Sequence, residues 1–384
     1  MTFGKRVVLY LVGSAALCLL SVAVTRAQDR PADTPLMAEQ VFKNVQVLKG
    51  IPVSEFMGTM GFLAASLSMN CTDCHVSDSS GSWARYADDT PIKQMTRRMI
   101  VMVNTINRAN FGSARAVTCY TCHRGSQRPK VTPSLAEQYG APPPQDPDEV
   151  EILEESTGPA AEQLLDRYIQ AVRGSQRLGN TKTVVARGTY TGFDTDFDQV
   201  PVAIYASAPY QRSTVIQMRP PFAERIFTYD GRTGWIAGAD RPVPVLAMTE
   251  GEMEAARLDA VALFFPASIK GAAKWRAGSR EVSIDNRPLQ MIEGATAAGA
   301  RVKLYFDRQS GLLIRLVRYT NTVLGLNPEH TEYDDYREVA GVRIPFRWTV
   351  TWTNGQSTTE LSDVQLNVAV DASRFTRPVV TASR

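Results

Sequence analysis

The sequence predicts an α + β multidomain chain, with a small all-α domain first and a mainly antiparallel β domain after it. Three observations lead there. Apolar residues recur at 3–4 spacing across residues 37–128, and a proline-rich, acidic stretch follows at 129–159. From Thr183 onward, short runs rich in β-branched and aromatic residues alternate with glycine-containing turns. The 384 residues are enough for two or three domains with a sizeable core. A hydrophobic fraction of 44%, a charged fraction of 21% and a net charge of +3 exclude a polytopic membrane protein, a collagen-like chain and a wholly disordered one. They also give no charge-based case for nucleic-acid binding.

Taken in order, Lys5 and Arg6 precede an apolar run over residues 7–24 and small residues up to Ala27. This is the layout of a secretory signal, residues 1–27, cut after Ala27, which exports the rest to the periplasm. The run is also just long enough for a retained anchor, so membrane association is the alternative. Cys18 leaves with a cleaved signal. Residues 38–48 carry Val41, Phe42, Val45 and Leu48 in a helical pattern, and Val53–Leu67 carries Phe56, Met57, Met60, Leu63 and Leu67 as one stripe. Pro91 suits a first helical turn, and Met95, Met99, Met102, Val103 and Ile106 follow along one side.

These helices make up a first domain, residues 28–128. The linker at 129–159 contains Pro129, Pro133, Pro142-Pro143-Pro144 and Pro147, and six of the ten residues from Asp146 to Glu155 are acidic. The second domain, 160–384, opens with an amphipathic helix at 160–172. Strands are predicted at 183–193, 202–207, 212–218, 224–229, 301–306, 312–319, 332–338, 342–352 and 357–366, with a helix at 249–263. The segment Thr353-Asn354-Gly355 reads as a hairpin turn.

Chemistry concentrates in two clusters, Cys71-Thr72-Asp73-Cys74-His75 and Cys119-Tyr120-Thr121-Cys122-His123. Both have the form C-x-x-C-H, which reads as c-type haem attachment. Two thiols on one helical turn can each form a thioether to a vinyl group on one edge of the porphyrin, and the adjacent histidine then faces the iron. A redox disulfide needs no following histidine, and a Cys₄ zinc site would leave both histidines without a role. With 3 His in 384 residues, a histidine directly after both pairs arises by chance about once in 16,000 placements. Two covalent haems are therefore expected. Methionine is a common second axial ligand, and methionines gather before each cluster: Met57, Met60 and Met69, then Met95, Met99 and Met102. A methionine stripe at helical spacing is also ordinary core, and a haem packed on such a stripe satisfies both descriptions.

Residues 41–129 resemble the cytochrome c subunit of photosynthetic reaction centres. The resemblance rests on Val41-Phe42-Lys43-Asn44-Val45-Gln46-Val47-Leu48, Glu55-Phe56 with Thr59-Met60, Arg97-Arg98-Met99 with Thr105-Ile106-Asn107, and Val117 through Gly125 around the second cluster. It implies a dihaem c-type cytochrome domain in which Cys71 and Cys74 hold one haem and Cys119 and Cys122 the other. His75 and Met60 would be the axial ligands of the first iron, and His123 and Met99 those of the second. Met57 and Met102 are the fallback methionines. The family carries four haem motifs and this chain two, and a histidine that ligates one of the missing haems in the family corresponds here to Ser113. More loosely, the second domain resembles the half-barrel of periplasmic lipoprotein carriers, on its opening helix, Tyr229-Asp230-Gly231-Arg232 and Tyr305-Phe306-Asp307.

The expected function is electron transfer to an oxidised partner protein, acidic or membrane-bound, with a fused β domain that binds a partner or a lipid-like ligand. The alternatives are a haem enzyme of the peroxidase or quinol oxidase type, or a redox-sensing lipid carrier. His330, in Asn327-Pro328-Glu329-His330, reads as a structural histidine in a turn. Between Pro91 and Lys130 stand eight basic residues and no acidic one. That run predicts a docking patch beside the second haem and a higher potential there. The mass of the mature protein should exceed that of the chain from Gln28 by two haems; an unmodified mass would remove the haem assignment.

Overall fold

A computed structural model of the chain describes residues 34–141, 146–149, 158–172, 180–219 and 224–380. The expected signal at 1–27 and most of the acidic stretch after Asp146 lie outside the described residues. Residues 35–384 cluster as one compact unit.

The helical part is built on α1 (Val53–Leu67), α2 (Cys71–Cys74), α3 (Pro91–Asn110) and α4 (Cys119–His123). Helix α1 runs over the span its stripe predicts, and α3 starts on Pro91 with the Thr90 side chain capping Lys93 N. The 38–48 segment differs from its pattern. Its helix stops at Val41, and Phe42 is already extended. Asn44 takes a left-handed conformation, φ 60°. Its side chain donates to Ala87 O at 2.7 Å and Asp89 Oδ1 at 2.9 Å, an alternative to helix that a short amide can offer. The apolar residues of the segment still reach the core: Leu48 is buried with Ala38, Ile51, Phe62 and Ile100, and Phe42 and Val45 pack on them.

Helices α5 (Ala161–Ala171) and α6 (Glu250–Leu263) accompany a 14-stranded antiparallel sheet. The strands are β1 (Thr183–Gly192), β2 (Val200–Ser207), β3 (Gln211–Gln217), β4 (Glu224–Tyr229), β5 (Gly234–Gly238), β6 (Val245–Ala247) and β7 (Lys274–Trp275). They continue as β8 (Arg280–Ile284), β9 (Arg287–Ala295), β10 (Arg301–Asp307), β11 (Leu313–Asn321), β12 (Leu326–Val339), β13 (Val342–Trp352) and β14 (Gly355–Leu366). Their order is β6-β5-β4-β3-β2-β1-β14-β13-β12-β11-β10-β9-β7, with β8 paired to β9. Consecutive strands pair from β1 to β6 and from β8 to β14, β1 closes onto β14, and β7 pairs β9.

The sheet is strongly curled. Arg212 on β3 and Arg318 on β11 both reach the carboxylate of Asp259 on α6, at 3.4 and 2.9 Å. Six strand intervals separate β3 from β11, about 29 Å in a flat sheet at ~4.8 Å per strand. Only a sheet wrapped around the helix lets both arginines reach one side chain, which is the half-barrel form. The enclosed core joins Leu164, Leu165 and Tyr168 of α5, and Leu258 and Val261 of α6 with Phe264 and Phe265 beyond its end, to strand residues such as Ile204, Leu304 and Leu316.

On the opposite face, Tyr305, Val317 and Tyr319 form a second cluster with Leu289 and Met291. Pro147, Asp148 and Glu149 lie across that face. Tyr305 donates to Pro147 O, Tyr319 donates to Asp148 O at 2.8 Å, and Arg315 pairs with Asp148 at 3.1 Å. His330 is within β12 rather than in a turn, and its Nδ1 lies 2.5 Å from Asp148 Oδ2.

The helical part rests on the sheet through the 321–327 corner. Asn327 Nδ2 donates to Gly58 O at 2.8 Å, Arg115 donates to Thr322 O, and Phe62 packs with Leu324. Gly325 faces the Phe62 ring so closely that an added Cβ would lie 2.4 Å from it. Gly325→Ala should therefore cost about 1–3 kcal/mol by overpacking, and Phe62→Ala about 3–5 kcal/mol. Urea unfolding measures both; an unchanged midpoint for both variants would mean that this corner does not hold the two parts together.

Candidate functional site: two cysteine–histidine turns

Each C-x-x-C-H cluster folds as a single helical turn that begins on a capped residue. Asn70 caps α2 by accepting from Asp73 N, while the Asp73 side chain accepts from Asn70 N at 2.8 Å. Thr118 and Thr121 cap α4 in the same reciprocal way. Two cysteines three positions apart on such a turn point to one side. All four are free thiols, with Cys71 and Cys122 exposed and Cys119 buried. Burial raises the pKa of Cys119, and burial together with nearby Asp73 raises that of Cys74.

Beyond the cysteines, the two histidines adopt the same arrangement. His75 Nδ1 lies 3.1 Å from Tyr86 O, and His123 Nδ1 lies 3.0 Å from Ser126 O. A backbone carbonyl only accepts, so Nδ1 carries a proton in both rings, and in the neutral ring Nε2 is the nitrogen that keeps a lone pair. This is how a metal-ligating histidine is oriented by its outer partner. Burial, with help from Lys93, lowers the pKa of His75 and favours the neutral, ligating form. Tyr86 also places its ring edge-on to His75 at 4.9 Å between centroids.

Local structure ties these turns to the long helices. Thr90, the cap of α3, donates to Cys74 O at 2.6 Å, so the first cluster leads directly into α3. Asn107 clamps the approach to the second cluster, donating to Val117 O at 2.7 Å and accepting from Val117 N at 2.9 Å. Gly125 N donates to Ser66 O, which docks the end of α4 on α1. On α1, Thr59, Phe62 and Ser66 are the buried face. At 100° per residue, Met57 lies on nearly the opposite side of the helix from that face, whereas Met60 is half-buried and packs at the edge of the Phe62 cluster.

Helix α3 has two apolar faces. Ile100, Val103 and Asn107 are buried. The adjacent stripe Met95, Met99, Met102 is not: Met95 and Met102 are 49% and 42% exposed, and Met99 is half-buried. Met57, Trp83, Val101, Phe111 and Tyr120 are exposed as well. A segment this short of buried apolar residues, with this much apolar surface facing out, lacks the core that would stabilise it alone. Flat apolar groups seated on these faces would supply it. The residues therefore fit two haems: paired thiols on one turn, an oriented Nε2 beside them, and apolar faces that carry methionine. They do not fit a shared Cys₄ zinc site. Among the described residues, no three His, Cys, Asp or Glu side chains gather in a metal-binding arrangement.

Residues 18–143 match the family model described as photosynthetic reaction centre cytochrome C subunit. The match covers the whole helical part, both clusters included. Over 98 residues the chain is 42% identical to the photosynthetic reaction center cytochrome c subunit of Thermochromatium tepidum, 24% of this chain and 23% of that protein. The subunit of Rubrivivax gelatinosus is 35% identical over 114 residues, 27% of this chain and 29% of that one. The chain thus spans less than a third of either relative. A LolA superfamily protein from Nitrosomonas europaea aligns with 56% of the chain and 97% of its own length, at 14% identity and a TM-score of 0.41. Among the described residues no helix is long and apolar enough to cross a membrane.

The basic run does not sort by cluster as its sequence position suggested. Lys93 and Arg97 lie beside the first cluster, Lys93 on Tyr86 O and Arg97 paired with Asp89 at 2.8 Å. Arg115 is spent on the sheet corner, and Lys130 pairs with Glu137. Arg98, Arg108, Arg124 and Arg128 remain exposed. Charge alone therefore does not single out the second cluster as the site of higher potential. Sequence reasoning also missed Tyr86, Ser126 and Thr90, and the clamp that Asn107 makes on Val117. Of these, only the Thr90-Pro91 cap pattern carried a readable signal. Replacing all four cysteines by serine removes covalent attachment and should leave the α3 stripe bare. Hydrophobic-dye binding should rise severalfold, and protease should cut within 91–110; unchanged dye binding and protection would contradict the cradle.

Proposed function

We propose that this chain is an exported dihaem c-type cytochrome that passes single electrons between protein partners, with the β domain as a fused partner-binding body. The observation that carries the reading is the matched pair of histidines, each held by a carbonyl at Nδ1 with Nε2 free, one residue after a cysteine pair. Bound haem iron supplies a one-electron ferrous/ferric couple. Cys71 and Cys74 would anchor one haem and Cys119 and Cys122 the other, and His75 and His123 would supply nitrogen ligands to the irons. Met60 and Met99 are the proposed sulfur ligands, by position in the reaction centre family. Both stand half-buried on helices that offer apolar faces, α1 and α3.

Two protein ligands per iron leave no position for a substrate, which favours relay over catalysis. The enzyme alternative needs a displaceable ligand and an acid–base group. His330, the remaining histidine, already engages Asp148 on the sheet. Exposed Arg98, Arg108, Arg124 and Arg128, with Tyr120 54% exposed between the second pair of thiols, suit encounter with an acidic redox partner. In the β domain, α5 and α6 side chains fill the enclosed side of the sheet. A lipid-like ligand would have to displace them, so partner binding is the preferred role. The domain plan is 1–27 as signal, 28–128 as cytochrome, 129–159 as tether and 160–384 as β domain, with the mature protein in the periplasm.

Coulometric titration of the purified protein should take up two electrons per chain, and the ferrous form should not bind carbon monoxide. Strong carbon monoxide binding at either haem would favour the enzyme reading. Reduction by an acidic partner should slow as salt rises, and slow further in Arg124→Glu/Arg128→Glu; salt-independent rates would remove the docking patch.

A further inference from the structure

Lys93 occupies a position that lysines avoid. It lies in the first turn of α3, where the helix dipole disfavours a cation, and its side chain is only 12% exposed. Desolvation and the neighbouring Arg97 hold its ammonium below the usual lysine range. What keeps it there is a ring of acceptors: Tyr86 O at 2.9 Å, Asp88 O at 2.7 Å and the Asp89 carboxylate at 3.9 Å. Tyr86 O is the carbonyl that also accepts the Nδ1 proton of His75. The second cluster has no counterpart, because among the described residues no other side chain donates to Ser126 O.

We propose that Lys93 raises the reduction potential of the first haem site by drawing on the carbonyl it shares with His75. This rests on the reading that His75 ligates a haem iron through Nε2. Two effects act in the same direction. A cation on the carbonyl oxygen makes it a weaker acceptor, so His75 gains less imidazolate character and donates less to the metal. The ammonium also places positive charge near the ligand in a partly desolvated site, which disfavours the ferric state. Asp89 opposes the second effect, and Arg97 binds Asp89 at 2.8 Å and blunts that opposition.

The test is a redox titration of the purified dihaem protein that follows the two low-spin ferric resonances separately. The first haem's resonance is identified as the one altered by Met60→His. Lys93→Gln should change the reduced-to-oxidised ratio of the first haem at fixed potential at least threefold toward oxidised, about 30 mV at 59 mV per decade, and leave the second unchanged. Lys93→Arg, which keeps the charge, should stay near wild type. Asp89→Asn should shift the first haem the other way, and it decides the matter if Lys93→Gln is recovered without haem. An unmoved first haem in Lys93→Gln, an equal shift in Lys93→Arg, or no upward shift in Asp89→Asn where that variant decides, would overturn the proposal. A wild-type chain that carries no haem at the first cluster would instead overturn the reading beneath it, and haem content measured beforehand separates the two failures.

Discussion

A hydrogen bond from a histidine ring to a backbone carbonyl is the contact on which the rest of the arrangement depends. It is made twice, His75 to Tyr86 and His123 to Ser126. Each bond fixes one tautomer and one ring orientation, so that a nitrogen lone pair stands beside two thiols on a capped turn. Without it the ring could rotate, and the cysteines would tether a group whose metal had no assured ligand. Much of the local structure serves these two carbonyls. Thr90 ties Cys74 to the start of α3, Lys93 grips the Tyr86 carbonyl, and Gly125 holds the turn containing Ser126 against α1.

The second constraint is apolar area. The curled sheet buries a large core of its own, whereas the helical part has a small cluster around Phe62 and Ile100 and leaves a methionine stripe on α3 uncovered. Burial is the main favourable term in folding, so a segment of this kind is stable only with something seated on its faces or with support from a neighbour. The sheet corner at 321–327 provides the support, and the haems would provide the rest. Folding and cofactor attachment are then coupled.

How much of this could be read from residues alone varies with the kind of signal. The clusters stood out because histidine is scarce in this chain, and the long helices because Pro91 and the 3–4 stripes mark them. The antiparallel sheet could be expected from alternating strands and its half-barrel form from the resemblance to lipoprotein carriers, and the curl is visible only where Arg212 and Arg318 meet Asp259. Strands β5 to β9 were not predicted. Two of them are only two or three residues long, β5 carries glycine at both ends, and β9 contains Pro288, which lowers its strand signal. The helix expected at 38–48 stopped early because Asn44 found partners in residues 87 and 89, which no local pattern reveals. The partners of the two histidines were illegible for a similar reason: a carbonyl belongs to every residue, and only the fold decides which one accepts.

Metal analysis with X-ray absorption on the purified mature protein tests the central claim most directly. The account predicts two irons per chain, each surrounded mainly by nitrogen with one sulfur scatterer. A single zinc in a shell of four sulfurs, with no iron, would contradict it.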